Sequence, residues 1–365
     1  IGPVPITTCC LPSARCPKVC LFCSAVEVAH AVRRNGGRVI IVVGLLVTDD
    51  SDCGPVLLEA GDIDTIVVDP WCEQCIGATY LDPFTFVTLE SRTSTAEGRA
   101  IIDAVNGMLK LTPTRSAADR MLARLAASIF CKHAPLGARL NIGTGLPEEV
   151  GTVLGPLAHL FEPFNEGGAL GGISAPGTFF GAAVNPKEIV SSAEVYKRLY
   201  HRLDVAVLGG LEVDSSGNVN VAAKGGLLAY VGPGGFVDLT NVAELVIFCV
   251  AFEARAQLDV GGGTVKVRAH GKPKFLPSVQ EVSFSGKAAL AAGKRVFYVT
   301  HLGAFELTNV GLTLLCVFPG VDVERDVLQA SKCRIVLPVG GVGGVAVVGE
   351  PIVGGERVAL LELLE

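Results

Sequence analysis

Apolar residues recur along the chain in two alternating patterns. Val26, Val28, Ala29 and Val32 keep a helical period, and the glycines at 36 and 37 follow at the position of a helix C-cap. Arg38–Leu46 is instead a β-branched apolar run, as is Ile63–Val68, and such runs predict strands buried on both faces. The pattern then turns polar between about Glu90 and Arg115, with Ser91, Thr93, Ser94, Thr95 and Pro113, which predicts a linker. Beyond it the alternation resumes. Ser116 stands where a helix cap belongs, Asp119 falls in the first turn, and Met121, Leu122, Leu125, Ile129 and Phe130 form the apolar stripe. Strand Arg139–Ile142, a helix opening at Pro147, strands Val205–Leu208, Leu245–Val250 and Arg295–Val299, and a helix Val323–Ala330 complete the pattern. Strands alternating with helices imply an α/β fold with open, mainly parallel sheets, whose ligands bind at the carboxyl ends of the strands.

Composition narrows the class. The 365 residues are half hydrophobic and 18% charged, with a net charge of −6, so a large core is available and disorder is not expected. No Lys/Arg run exceeds Arg33–Arg34, which argues against nucleic acid as a partner. Mean hydropathy is +0.50, yet the longest apolar run, about residues 39–47, falls far short of the ~20 residues a spanning helix needs. No membrane is expected. The chain opens at Ile1 with no Met and no signal-peptide pattern, and a soluble α/β-type protein, whole or a fragment, is expected. Twelve cysteines include two CxxC pairs, Cys20–Cys23 and Cys72–Cys75, but no flanking ligands, so no structural metal is expected. Cys131, Cys249 and Cys316 lie in apolar runs as small hydrophobes, and scattered thiols point to a reducing cytoplasm.

Glycine-rich segments hold the candidate chemistry. Gly143-Thr144-Gly145 joins a strand to a helix and could offer backbone N–H groups to an anion; a plain tight turn explains it equally well. In Asn165-Glu166-Gly167-Gly168-Ala169-Leu170-Gly171-Gly172 a single carboxylate lies in a glycine bed, where a large substrate could reach it. A held, desolvated glutamate is a competent nucleophile toward an activated acyl group; the alternative is a solvated surface loop. Gly232-Pro233-Gly234-Gly235 is a third such segment, and Gly261-Gly262-Gly263 reads as a hairpin turn. The six histidines have no metal-ligand spacing, and no GxSxG elbow is present.

The order of these segments carries a resemblance. Leu140–Pro147, Glu166–Gly172, Phe180-Gly181-Ala182-Ala183-Val184-Asn185-Pro186, Leu203–Gly209, Gly217–Val221, Gly234–Asp238, Val246–Cys249, Lys274-Phe275, Val282–Gly286 and Pro319–Asp322 follow one another as in family I CoA-transferases. From about residue 26 to 330 the chain resembles the acetate/propionate or 3-ketoacid type, without the first half of its N-terminal domain. The resemblance implies two Rossmann-like units: residues 1–95 ending the first domain, a linker 96–114, a second domain 115–340 and a tail 341–365. It implies ping-pong transfer of coenzyme A between an acyl-CoA and a small carboxylic acid, with CoA as substrate and no resident cofactor. Glu166 would be the nucleophile. Gly234 and Gly235 would hold the thioester, and Gly143, Gly145, Gly167, Gly168 and Asn185 would bind CoA. A homo-oligomer, or a partner chain supplying the remaining half-domain, is implied as well. Gly167 stands where the family has Ser or Asn, Tyr200-His201-Arg202 replaces a glycine run, and His301 occupies a Thr-Glu motif. An acyl-CoA hydrolase, or a non-catalytic subunit of a larger assembly, remains open on the same scaffold.

Overall fold

The computed structural model describes residues 21–43, 58–68, 94–110, 114–177, 181, 183–190, 192–223 and 230–354. The Cys72–Cys75 pair and Cys20 lie outside them. The chain divides into two compact units, one within Ile1–Thr112 and Pro163–Arg198, the other within Pro113–Glu162 and Leu199–Glu365. This partition differs from the expected continuous domain 115–340, because residues 163–198 pack with the N-terminal unit.

In the first unit, helix α1 (Leu21–Arg34) precedes strand β1 (Ile40–Val43), which pairs in parallel with β2 (Thr65–Val68). Asp64 secures the β1 entrance: its carboxylate accepts from Val39 N–H at 2.7 Å and from Arg33 at 2.7 Å. The expected linker 96–114 is largely helix instead, α2 (Thr95–Leu109). Its cause is local. Ser94 accepts from the Glu97 N–H while the Glu97 carboxylate accepts from the Ser94 N–H, closing a capping box. Asn106 on α2 donates to the Pro176 carbonyl at 3.0 Å, tying this helix to the 163–198 segment. That segment carries two-residue ladders, Ala169–Leu170 with Glu188–Ile189 and Ile173–Ser174 with Ala183–Val184, and then a helix over Ser192–His201.

The second unit centres on the largest of its sheets, eight strands among the described residues. Helix α3 (Ala117–His133) starts at Ser116 in a capping box with Asp119, as the sequence predicts. Strand β3 (Arg139–Ile142) leads to α4 (Leu146–Leu154), then come β4 (Val205–Gly209), α5 (Phe236–Val242), β5 (Leu245–Cys249) and β6 (Arg295–Val299). Strands β3, β4, β5 and β6 lie side by side in parallel. Two antiparallel strands, β7 (Gly303–Thr308) and β8 (Gly311–Val317), continue the sheet beyond β6. The fold is therefore α/β with a mainly parallel sheet.

Both faces of this sheet are covered, which is why its strands read as unbroken apolar runs. Leu245, Ile247 and Cys249 of β5 join a core with Met121, Leu122, Leu125 and Phe130 of α3. On the opposite face Phe248 packs on Phe236 of α5, Phe284 and Tyr298 at ring separations of 5.0–5.8 Å. The Gly261–Gly263 turn joins antiparallel strands Gln257–Gly261 and Thr264–Ala269, as predicted. The predicted final helix forms over Val323–Gln329, but as a π-helix capped by the Asp322 side chain. Among the described residues no helix is long and apolar enough to cross a membrane.

Candidate active site

The first unit holds Glu166, Gly167, Gly168 and Asn185. Asn165, almost wholly buried, closes the loop on which Glu166 sits: its N–H donates to the Ala169 carbonyl at 3.1 Å and its carbonyl accepts from the Gly168 N–H at 3.2 Å. Its side-chain oxygen also accepts from the Ala169 N–H at 3.4 Å. Glu166 and Gly167 thus occupy the tip of a four-residue turn, with Gly168 at φ +114°. Ser192 donates its hydroxyl to the Glu166 carbonyl, and the Val190 N–H donates to the Gly168 carbonyl at 3.0 Å. The backbone of the glutamate is therefore fixed from both sides.

Its side chain is half-buried, and among the described residues no hydrogen bond or ion pair engages the Glu166 carboxylate. Arg198 is committed elsewhere. It donates to both oxygens of Glu188 at 2.7 and 2.9 Å and to Glu194 at 2.8 Å, holding the ladder beside the loop against the Ser192–His201 helix.

Two glycines of this loop make room for the chain's own backbone. A Cβ on Gly167 would lie 2.6 Å from the Gly181 carbonyl oxygen, and one on Gly172 2.4 Å from that of Val184. Gly172 also lies at φ +71°. At these two positions the freed space is taken by the chain's own backbone. This accounts for glycine, and not Ser or Asn, after the glutamate. Asn185 follows the Ala183–Val184 strand in a left-handed conformation at φ +50°, and its carbonyl is one of the groups packed on Gly172.

The second unit holds Gly143, Gly145, Gly234 and Gly235. The Gly143 N–H donates to the Val207 carbonyl of β4 at 2.9 Å, and Leu208 would be 3.1 Å from a Cβ there. Gly145, at φ +87°, turns the chain into α4. This helix end already carries a carboxylate of its own. Glu148 accepts from the Thr144 hydroxyl at 2.8 Å and from Arg115 at 3.3 Å, while Arg115 also donates to the Gly145 carbonyl at 2.6 Å. Gly234, at φ +56° with no atom within 4 Å of a Cβ, and Gly235 form the turn Pro233–Phe236 that opens α5.

The departures from the family motifs take on definite roles. Tyr200 donates its hydroxyl to Asp238 on α5, and Arg202 pairs with Asp204 at 2.8 Å. His301, at the carboxyl end of β6, meets Asp119 at 2.9 Å. Burial opposes ionisation of Asp119. The His301 bond and the Ser116 N–H and hydroxyl outweigh it and hold the carboxyl well below the usual range. Burial pushes the thiols of Cys131 and Cys249 up to about 11 and about 12, so neither is a poised nucleophile. Sequence reasoning passed over Asn165, Ser192 and Arg115. Only the Asn-x-Gly-Gly spacing at 165–168 gave a readable turn signal.

The chain belongs to the CoA-transferase family, placed there by similarity to curated relatives and not by the sheet or its turns alone. It is 31% identical over 318 residues to acetate CoA-transferase YdiF of Escherichia coli O157:H7, a match covering 85% of this chain and 55% of that protein. It is 32% identical over 220 residues to caffeate CoA-transferase of Acetobacterium woodii, covering 58% of this chain and 41% of that one. The crystal structure of the E. coli YdiF acyl-CoA transferase apoenzyme superposes with a TM-score of 0.68 at 27% identity, over 90% of this chain and 58% of that one. A thioester complex of the same enzyme with CoA matches equally well. No family model matches the chain. The chain spans about half the length of the curated relatives it matches.

Proposed function

We propose that this chain carries the nucleophile of a CoA-transferase that moves coenzyme A from an acyl-CoA to a small carboxylic acid. The observation that carries this reading is Glu166, half-buried on a loop whose backbone is fixed by Asn165 and Ser192, with no competing cation on its carboxylate among the described residues. In water such a carboxylate attacks a thioester poorly. Held in place it gains effective molarity worth ~7–11 kcal/mol.

The steps balance as follows. The Glu166 carboxylate attacks the acyl-CoA carbonyl, and CoA thiolate leaves to give a mixed anhydride. The thiolate then attacks the glutamyl carbonyl, forming a glutamyl-CoA thioester and releasing the first carboxylate. An incoming carboxylate attacks that thioester, and the freed thiolate takes the new acyl group from the anhydride, restoring Glu166. Each tetrahedral intermediate needs fixed N–H donors for its oxyanion. We assign that role to the Gly234–Gly235 turn, and CoA contacts to Gly143, Gly145, Gly167, Gly168 and Asn185. CoA enters and leaves as substrate, with no resident cofactor.

Two Rossmann-like units, a homo-oligomer or a partner chain in the assembly, and a cytoplasmic location belong to the same reading. The thioester complex known for the related E. coli enzyme supports it. Glu166→Gln keeps the shape of the loop and removes the charge, so it is expected to abolish transfer while leaving the melting temperature unchanged. Retained transfer would overturn the assignment.

A further inference from the structure

The second unit contains a group of ionisable side chains that CoA transfer does not use. His270 follows the strand Thr264–Ala269 and is partly exposed. Its Nδ1 lies 3.0 Å from Glu253 Oε2, and its Nε2 lies 3.8 Å from Asp326 Oδ1. Both carboxylates are buried, with side-chain exposures of 4% and 0%. Glu253 belongs to a two-residue ladder in which Glu253 and Ala254 pair with Pro273 and Lys272, and Asp326 lies on the π-helix Val323–Gln329. One imidazole therefore bridges two separate segments through two buried anions.

The surroundings hold the ring in this position. A Cβ on Gly271 would lie 2.1 Å from the Ala254 carbonyl, so the two segments cross in close contact. Arg255, next to the ladder, is forced to φ +62°, a conformation that non-glycine residues enter at a cost. The charges facing the ring from each element are few. Glu253 comes from the ladder. Asp326 comes from the π-helix, where it already accepts from Arg325 at 2.7 and 2.8 Å and from the Asp322 N–H at 2.9 Å. Lys272 is exposed two residues on, and Arg268 is paired with Asp259 across its hairpin.

We propose that His270 is a pH-responsive clasp, which joins the Glu253 ladder to the π-helix when protonated and releases Asp326 when neutral. What matters is where the ring's donor and its charge fall. An imidazolium donates Nδ1–H to Glu253 at 3.0 Å and brings its positive charge within 3.8 Å of Asp326, an ion-pair distance and not a hydrogen bond. A neutral ring has one N–H donor, so while Nδ1–H serves Glu253 the Nε2 lone pair faces Asp326. Asp326 then keeps Arg325 and the Asp322 N–H but loses the attraction of the ring's charge, which was its tie to the His270 segment. Asp326 stays ionised across the relevant range. Burial opposes this, but the Arg325 guanidinium and the Asp322 N–H more than compensate and hold its carboxyl low. The clasp is thus closed while the ring is protonated and open once it is neutral. Its reach extends along the chain: the Lys272–Pro273 strand leads directly to Lys274, whose ammonium donates to the Gly210 carbonyl at 3.2 Å, just past the carboxyl end of β4.

Backbone hydrogen exchange on the full chain at pH 5.5 and pH 8.0, corrected for intrinsic rates, tests this without any assay of activity. Protection of the amides in Val323–Gln329 is expected to fall about fivefold or more between the two pH values in the wild type. In His270→Gln it is expected to be low and equal at both. Glu253→Gln, which keeps a hydrogen-bond acceptor for Nδ1, is expected to fold and to show a smaller pH difference, whereas Arg268→Gln should behave as wild type. An equal pH difference in wild type and His270→Gln, or none in the wild type, would overturn the clasp.

Discussion

Around Glu166 the described strands of residues 163–190 are two residues long, and the loop is held by named hydrogen bonds and by backbone packed onto Gly167 and Gly172. In the parallel sheet, β4, β5 and β6 are five residues each and almost entirely buried, with helices on both faces. The first region depends on a few exact positions, the second on buried apolar area. The two should therefore fail differently. In the sheet a lost side chain costs stability in proportion to what it buried. In the loop, adding one carbon costs more than removing many.

The largest effect is expected in the sheet. Phe248 is fully buried among three aromatic rings, so Phe248→Ala should lower unfolding free energy by about 3–5 kcal/mol. Urea denaturation measures it. A loss under about 1 kcal/mol would mean that this face is less well packed than its contacts indicate.

Next comes the loop. Gly172→Ala adds a methyl 2.4 Å from the Val184 oxygen at a positive φ. It should displace the Ile173–Ser174/Ala183–Val184 ladder and cost about 2–3 kcal/mol. Exchange protection of residues 163–190 should fall while that of β5 stays as before. Loss of protection spread evenly through both regions would erase the distinction drawn between them.

A smaller effect separates charge from area. Asp119 has a folded-state pKa depressed below its unfolded value, so its contribution is fully present above about pH 4 and disappears as pH falls through the folded value. Asp119→Asn should cost about 1 kcal/mol at pH 7. The gap to wild type should close as the pH drops below 4. A gap independent of pH would mean that packing, and not the His301 bond, makes the difference.

The same contrast explains what could be read from the sequence. Strands Val205–Leu208, Leu245–Val250 and Arg295–Val299 were legible because burial on both faces makes nearly every position apolar, whereas Arg139–Ile142, with Arg139 and the buried Asn141, shows that pattern less clearly. The Ser116–Asp119 helix start was legible because its cap is local. The helix Thr95–Leu109 was missed under a polar composition, although its Ser94–Glu97 capping box is just as local. The hairpin of β7 and β8 went unseen, since its pairing depends on partners that no local pattern reveals. Glu166 could be singled out as a lone carboxylate among glycines. That those glycines admit backbone, and that Asn165 and Ser192 hold the loop, depends on contacts from as far as residue 192.

Mass spectrometry of peptides after incubation with an acyl-CoA, without an acceptor acid, tests the central claim most directly. The account predicts CoA attached as a thioester to Glu166 in the peptide containing Asn165–Gly172, absent from Glu166→Gln and released when a carboxylic acid is added. A label on Glu148, Glu149 or a cysteine, or none on a wild-type protein that transfers CoA, would contradict it.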